Sequence, residues 1–185
     1  MGPLTPASAA PACTRKLETP SFSRGHEGTA KLSTPYDEDF VRWTEEQAAA
    51  LRRVTGSNLP LDWENLAEEI ESLGKSDRRE LRSQITRILR HLLKLEASSA
   101  AEPRAGWRVT IREARAEIES VLEDSPSLRR EAQAMITKQI RAAAELAADD
   151  LGHPGEPIDA IQARLDKEHY TPEQVLGDWL PDEPG

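Results

Sequence analysis

The chain has 185 residues, of which 37% are apolar and 31% charged, and its formal net charge at pH 7 is −9. This length predicts one domain with a hydrophobic core of its own, and the single cysteine, Cys13, excludes an internal disulfide framework. The excess of negative charge argues against nonspecific nucleic-acid binding, which needs several Lys or Arg side chains to displace phosphate counterions. We therefore expect no nucleic-acid partner.

The N-terminal region has the composition of an unfolded segment. Residues 1–35 contain five prolines and no periodic apolar face, so they cannot bury enough surface to offset the entropy lost on ordering. They also lack the hydrophobic region of a secretory signal, and no later stretch is apolar over a membrane-spanning length. We expect a disordered tail over residues 1–35, a single all-helical domain over residues 36–183, a cytoplasmic location and no membrane partner.

The first predicted helix begins near Asp37, whose side chain can cap it. One stripe then runs along the helix to a break at Thr55–Asn58, after which Pro60 prevents continuation. The residues of this stripe are Phe40, Trp43, Gln47, Leu51 and Val54.

Residues 61–96 are predicted to form two helices, with a stop and restart at Gly74 and Ser76. The first part carries five acids and no base from Asp62 to Glu71, whereas the second carries seven Lys or Arg from Lys75 to Lys94. A short turn predicts an antiparallel hairpin with an apolar seam between the two helices. The expected seam residues are Leu66, Ile70, Leu81, Ile85 and Ile88.

The remaining sequence also has helical periodicity. A fourth helix is expected after Pro103, a fifth from Ser125–Pro126 to just before Gly152, and a weak short helix from Ile158 to Leu165. A capping box that begins at Thr171 predicts a last short helix. No strand-like alternation occurs, so the predicted fold class is all-α: a bundle of about five main helices with a short C-terminal helical cover.

Several segments in a fixed order resemble the bacterial family known as domain of unknown function 29. They cover roughly residues 36–181 and comprise Tyr36–Trp43 with Gln47, Asn65–Gly74, His91–Lys94, Gly106–Arg112 and Ser125–Leu128. The resemblance implies an all-helical cytosolic domain and no assigned catalytic residue. The chain departs from the usual family pattern at Leu95, where an aromatic residue is common, and at His169–Tyr170, where Cys-Pro is frequent.

The charges along the predicted hairpin permit two interpretations. The first is ion pairing at the rim of the core, worth at most about 1 kcal/mol for each exposed pair. The second is that the basic row is a docking face for an oppositely charged partner. On helical geometry the candidate docking residues, which point away from the apolar stripe, are Arg79, Arg87, Arg90 and Lys94.

One group of side chains qualifies as a candidate metal site. Inward carboxylates and a histidine from facing helices form metal sites in bundles, and the hairpin would bring Glu68, Glu69 and Glu71 towards His91. The sequence lacks the Glu-x-x-His, His-x-x-x-His and Cys-x-x-Cys pairs of such sites. We therefore expect no metal and no cofactor, with His91 hydrogen-bonded at the core margin and its pKa raised by Glu69.

Two classes of function remain. No glycine-rich phosphate loop or nucleophile elbow is present, and the four tryptophans lie on or beside apolar stripes, which is typical of core residues. The favoured hypothesis is a non-enzymatic protein-interaction module that binds an unidentified protein or self-associates. The alternative is a metal-dependent or otherwise cryptic enzyme that uses the cluster of Glu68, Glu69, Glu71 and His91.

Overall fold

The computed structural model describes residues 35–54, 57–98, 100–152, 158–166 and 170–182, and every regular element within them is a helix. This confirms the predicted all-α class. The predicted tail lies outside the described residues except for Pro35. None of the described helices is long and apolar enough to cross a membrane. The elements are α1 (Pro35–Glu38), α2 (Phe40–Arg52), α3 (Trp63–Ala97), α4 (Ala101–Asp124), a 3-10 turn (Pro126–Arg130), α5 (Ala132–Asp150), α6 (Ile158–Leu165) and α7 (Pro172–Leu176).

Helix α3 is the centre of the domain and contacts α2, α4, α5, α6 and α7. Asp77 meets Ser125 beyond the end of α4, and Lys94 lies over Trp107 near its beginning, so α4 is antiparallel to α3. Arg78 pairs with Glu131 just before α5, and Arg90 pairs with Asp150 at its end, so α5 is parallel to α3. The core of α3 consists of Leu81, Ile85, Ile88, Leu89, Leu92, Leu93 and Leu95.

The predicted break at Gly74 is wrong, because α3 is one continuous helix of 35 residues that includes this glycine. Gly74 is buried against α2, where a Cβ would overlap the hydroxyl oxygen of Thr44 and lie 3.6 Å from the carbonyl oxygen of Val41. The glycine therefore permits two helices to approach closely and does not end one. The antiparallel hairpin does not form, and Leu66 of its expected seam is 40% exposed.

The helix starts were predicted more closely than the break. Asp39, and not Asp37, caps α2 by accepting a hydrogen bond from the backbone N–H of Arg42. Asp62 caps α3, and the capping box at Thr171 is present at the start of α7. After Ser125 the chain first makes the 3-10 turn, and the predicted fifth helix begins only at Ala132.

The C-terminal cover is held by hydrogen bonds from one arginine of α4. Arg115 donates to the carbonyl oxygens of Gln174 and Val175 and, at 2.7 Å, to that of Trp179. Val175 is fully buried as a result. The predicted short helix at residues 158–165 is present as α6, which joins α3 through Arg164 and Glu96, 2.9 Å apart.

The chain departs from the usual family pattern at Leu95 and at Tyr170, and both side chains lie in the core. Leu95 and Tyr170 are buried, and the guanidinium of Arg164 lies 4.3 Å from the centre of the Tyr170 ring. Burial raises the pKa of the Tyr170 phenol, with a further contribution from Glu96.

Candidate functional site: an arginine-lined groove

A groove of about 400 Å³ runs along the exposed side of α3, next to α5. We call it the arginine groove. Four guanidinium groups line it on the α3 side, with hydroxyl groups between them, and an amide and an apolar side chain line it on the α5 side. Its residues are Arg79, Arg82, Ser83, Thr86, Arg87, Arg90, Gln139 and Leu146.

The spacing of these arginines explains why they share one surface. Arg79, Arg82, Thr86 and Arg90 follow one another at three- and four-residue intervals, which places them along one side of a helix. Thr86 donates to the carbonyl oxygen of Arg82 and to the side chain of Gln139, so it links the floor of the groove to α5.

Three of the four arginines are available to a ligand. Arg79, Arg82 and Arg87 are exposed and make no ion pair with any residue of the described ranges. Arg90 differs, because its guanidinium donates two hydrogen bonds to the carboxylate of Asp150. The pKa of the Arg90 guanidinium is raised by this bonding. Two of the predicted docking residues, Arg79 and Arg87, therefore keep their full hydrogen-bonding capacity, and Arg90 retains part of it.

Lys94 was predicted to face outward with these arginines, and this is wrong. Its side chain is only 8% exposed, donates to Asp150 at 2.7 Å and lies 4.6 Å from the centre of the Trp107 ring. Position 94 lies on the same side of α3 as Arg87, seven residues earlier. Helices α4 and α5 converge on the end of α3 and cover this side at Lys94, whereas it is open at Arg87. Lys94 therefore joins three helices and is closed to a partner.

His91 lies beside the same cations. Burial first, and then the charges of Lys94, Arg90 and Arg87, lower the pKa of its imidazole to about 4, against a smaller opposing effect of Asp150. Its Nδ1 is buried and has no hydrogen-bond partner within the described part of the chain. The expected ion pair with Glu69 is wrong, because Glu69 lies far from His91 along the same continuous helix. The expected rise in pKa is wrong, because burial and the nearby cations outweigh the carboxylate of Asp150.

The glutamates of the candidate metal cluster lie far from His91. They occupy the beginning of the same continuous helix, so about 20 residues of helix, or about 30 Å, separate them from the histidine. Glu68 and Glu69 are exposed, whereas Glu71 accepts from Arg52 of α2 at 2.7 Å and pairs with Lys75. No group of three His, Cys, Asp or Glu side chains among the described residues is placed to hold a metal ion.

Two partners in this region were missed from the sequence. Asp150 joins Arg90 and Lys94, and both of these hydrogen bonds together with the positive charges lower the pKa of its carboxyl to about 2. Trp107 covers the Lys94 ammonium, although the sequence indicated only an apolar core role for it. The sequence contained only a weak indication of the role of Asp150, since two consecutive acidic residues at the end of a predicted helix are common on a charged surface.

Motif segments that resembled the family meet each other in space. Asp39, from the first motif, accepts from the backbone N–H of Ser127 at 2.8 Å and from its hydroxyl at 2.9 Å. The Ser125 hydroxyl accepts from the backbone N–H of Val41 and donates to Asp77, whose pKa is raised mainly by burial. These contacts tie the start of α2 to the junction between α4 and α5, which assigns these motif residues a structural role.

The sequence matches the model of the family described as domain of unknown function DUF29 over residues 35–180. The chain is a member of this family. The matched range includes every described helix of the chain.

A solved structure shows the same fold. The crystal structure of an alpha-helical protein of unknown function from Rhodospirillum rubrum aligns with a TM-score of 0.58 and 21% sequence identity, over 79% of this chain and 91% of that one. No curated protein matches the sequence significantly. At this identity the likeness concerns the helical fold, and the argument for function comes from the residues of this DUF29 chain.

Proposed function

We propose that this DUF29 domain is a non-enzymatic protein-interaction module and that the arginine groove is its docking surface. The observation that carries the proposal is the presence of Arg79, Arg82 and Arg87, exposed and without a carboxylate partner in the described ranges, along one side of α3. Guanidinium groups bind carboxylates through paired hydrogen bonds of fixed geometry. The proposed partner is therefore a protein segment rich in Asp or Glu.

The composition of the groove supports a peptide ligand. Ser83, Thr86 and Gln139 supply polar groups between the arginines, and Leu146, which is 39% exposed, supplies an apolar contact on the opposite wall. A segment with acidic residues and one apolar anchor matches this combination, because anchors with surrounding polar contacts are how interfaces gain affinity and specificity.

The charge of the whole chain favours a peptide over nucleic acid. With a net charge of −9, the domain repels a polyanion at long range, while three or four guanidinium groups can still bind a short acidic segment at close range. Nucleic-acid binding requires a wider field of cations that displaces many counterions.

Binding of a labelled oligoglutamate peptide, followed by fluorescence anisotropy, tests the proposal. We expect saturable binding that weakens as salt is added and falls at least tenfold in Arg79→Ser/Arg82→Ser/Arg87→Ser. The matched control is Arg112→Ser/Arg129→Ser/Arg130→Ser, which removes three exposed arginines elsewhere and should bind as the wild type does. Equal losses in both variants, or tighter binding of single-stranded DNA than of the peptide, would overturn it.

The interaction module is also favoured over the enzyme alternative. The residues proposed for a metal-dependent reaction lie at opposite ends of α3, whereas the arginines of the docking surface lie side by side. We further propose that the protein acts in the cytoplasm, which the single cysteine and the absence of a membrane-spanning helix in the described ranges support.

A further inference from the structure

We propose that the acidic segment bound by the arginine groove is the beginning of α3 from a second copy of this chain. The domain would then form a two-fold symmetric dimer in which two α3 helices cross in antiparallel orientation. This inference rests on the proposed function, because it names the partner of the same groove. Three observations support it.

The first observation is an exposed apolar surface at the start of α3. We call residues 40–54, which include α2, together with residues 57–76 the arm. Within the described residues, the arm exposes five large apolar side chains, two of them on α3 itself. They are Val54, Leu59, Leu61, Leu66 and Leu73, which are 39%, 61%, 49%, 40% and 49% exposed. A concentration of exposed apolar residues in one region is typical of a surface that binds another protein.

The second observation is that the beginning of α3 is tied to α2 rather than to the later helices. Among the described residues, Glu64 and Glu71 of α3 pair with Arg52 of α2, whereas the polar contacts of α3 with later elements begin at Asp77 and Arg78. The start of α2 is anchored to the junction between α4 and α5 through Val41 and Ser125, whereas the start of α3 packs on α2 and leaves its outer side open to a partner.

The third observation is that charge is segregated along the open side of α3. Residues at three- and four-residue intervals form a continuous exposed stripe, and these are Leu66, Glu69, Leu73, Ser76, Glu80, Ser83 and Arg87. Glu64, Glu68 and Glu69 lie on or beside its first half. Guanidinium groups line the groove beside its second half, which carries one carboxylate, that of Glu80. One helix thus carries both a ligand with acidic and apolar side chains and a groove of complementary chemistry.

Antiparallel crossing satisfies both halves at once. When the two-fold axis passes near Leu73–Ser76, Glu68 and Glu69 of each copy lie level with Arg79 and Arg82 of the other. Glu80 lies at the same level, so two guanidinium groups outnumber one carboxylate there. Such an isologous contact is self-complementary, so each charge pairing occurs twice. The small side chains at Ser76 and Ser83 allow the two backbones to approach, and Leu66 and Leu73 are removed from water.

The orientation follows from the charges. A parallel pairing would place carboxylates against carboxylates and guanidinium groups against guanidinium groups along the whole stripe, which is repulsive. The dimer is therefore specified by repulsion in the wrong alignment as well as by attraction in the right one.

Sedimentation velocity with the full chain tests the proposal by a charge exchange. Arg79→Glu/Arg87→Glu reverses the groove, and Glu68→Lys/Glu69→Lys reverses the arm. We expect the wild type to sediment as a dimer, each reversed variant alone as a monomer, and their equimolar mixture as a dimer, because each reversed surface then meets its opposite. Far-ultraviolet circular dichroism confirms that both variants retain their helices.

An uncharged variant provides a second test that does not depend on these charges. Leu66→Asn/Leu73→Asn should yield a monomer, whereas Val109→Asn, at an exposed apolar position of α4, should remain a dimer. A monomeric wild type at all concentrations, or a mixture of reversed variants that stays monomeric, would overturn the proposal.

The dimer and the interaction module are rejected by different results. If the wild type is monomeric but still binds oligoglutamate through its groove, the second copy is rejected as the partner and the interaction module stands. If the monomeric Leu66→Asn/Leu73→Asn variant also fails to bind oligoglutamate, both proposals are rejected.

Discussion

Gly74 of α3 and Thr44 of α2 meet so closely that a Cβ at position 74 would overlap the Thr44 hydroxyl oxygen. The hydroxyl is fixed, because Thr44 is buried and donates to the carbonyl oxygen of Val41 at 2.7 Å. The close packing of α2 on α3 thus depends on the absence of one side chain.

We expect Gly74→Ala to destabilise the domain by about 1 kcal/mol, since overpacking outweighs the gain in helix propensity of about 1 kcal/mol. In a Thr44→Ala background the clash is gone, and the same substitution should stabilise by up to about 1 kcal/mol. Urea unfolding of the four proteins measures this coupling. An identical effect of Gly74→Ala in both backgrounds would show that the close contact carries no strain.

Gly74 also illustrates where sequence reasoning failed. Glycine is a common helix terminator, and Ser76 after it suggested a restart, so the local pattern favoured two helices. The decisive information was tertiary: α2 packs across this point, and only glycine fits beneath Thr44. The helix capped by Asp62 and the capping box at Thr171 were predicted correctly, because caps depend on residues within one turn.

The docking residues were predicted only in part, again because the missing information was tertiary. Helical angles placed Arg79, Arg87, Arg90 and Lys94 away from the apolar stripe, and this holds where α3 is open. Near its end, α4 and α5 close over the helix and bury Lys94. The angle of a residue on its own helix is local, whereas burial depends on which other helices arrive there.

The buried position of Lys94 leads to a stability prediction. We expect Lys94→Met to lower the free energy of unfolding by about 2 kcal/mol, because it removes a charged hydrogen bond to Asp150 and the contact with the Trp107 ring. Arg87→Met, the exposed control, should cost less than about 0.5 kcal/mol. Thermal or urea unfolding compares them, and equal costs would contradict the structural role of Lys94.

A third prediction concerns pH and His91. Burial and the neighbouring cations lower the pKa of the folded-state imidazole from 6.5 to about 4, so the unfolded chain binds the proton more readily between these values. The free energy of unfolding therefore falls as pH decreases from 6.5 towards 4. Because the ring is partly exposed, we expect solvent screening to limit the loss to about 1 kcal/mol.

His91→Asn should remove this acid sensitivity, which is measured as the difference between wild-type and variant unfolding curves from pH 7 to pH 4. The lowered pKa of Asp150 acts in a separate window, since its contribution is lost only as pH falls below about 3.8. Parallel pH profiles for the two proteins would show that His91 is not desolvated in solution.

A fourth prediction concerns Arg115, whose guanidinium donates to three carbonyl oxygens of the C-terminal cover. Burial lowers the pKa of this guanidinium, yet hydrogen bonds to a charged group contribute about 1.5 to 3 kcal/mol each. Arg115→Ala should therefore increase amide exchange in residues 170–180 at least tenfold. Arg112→Ala, an exposed neighbour on α4, serves as the control, and faster exchange in neither variant would contradict the assignment.

The central claim of the account is that α3 recognises carboxylates through its arginine groove, and amide and arginine Nε–Hε chemical shifts measure this most directly. On titration with oligoglutamate, we predict that the shifts of Arg79, Arg82, Arg87 and Gln139 change together and saturate at one affinity, while those of Arg112 and Arg129 stay constant. Shifts that change uniformly over all exposed arginines, or that leave the groove unaffected, would contradict the claim.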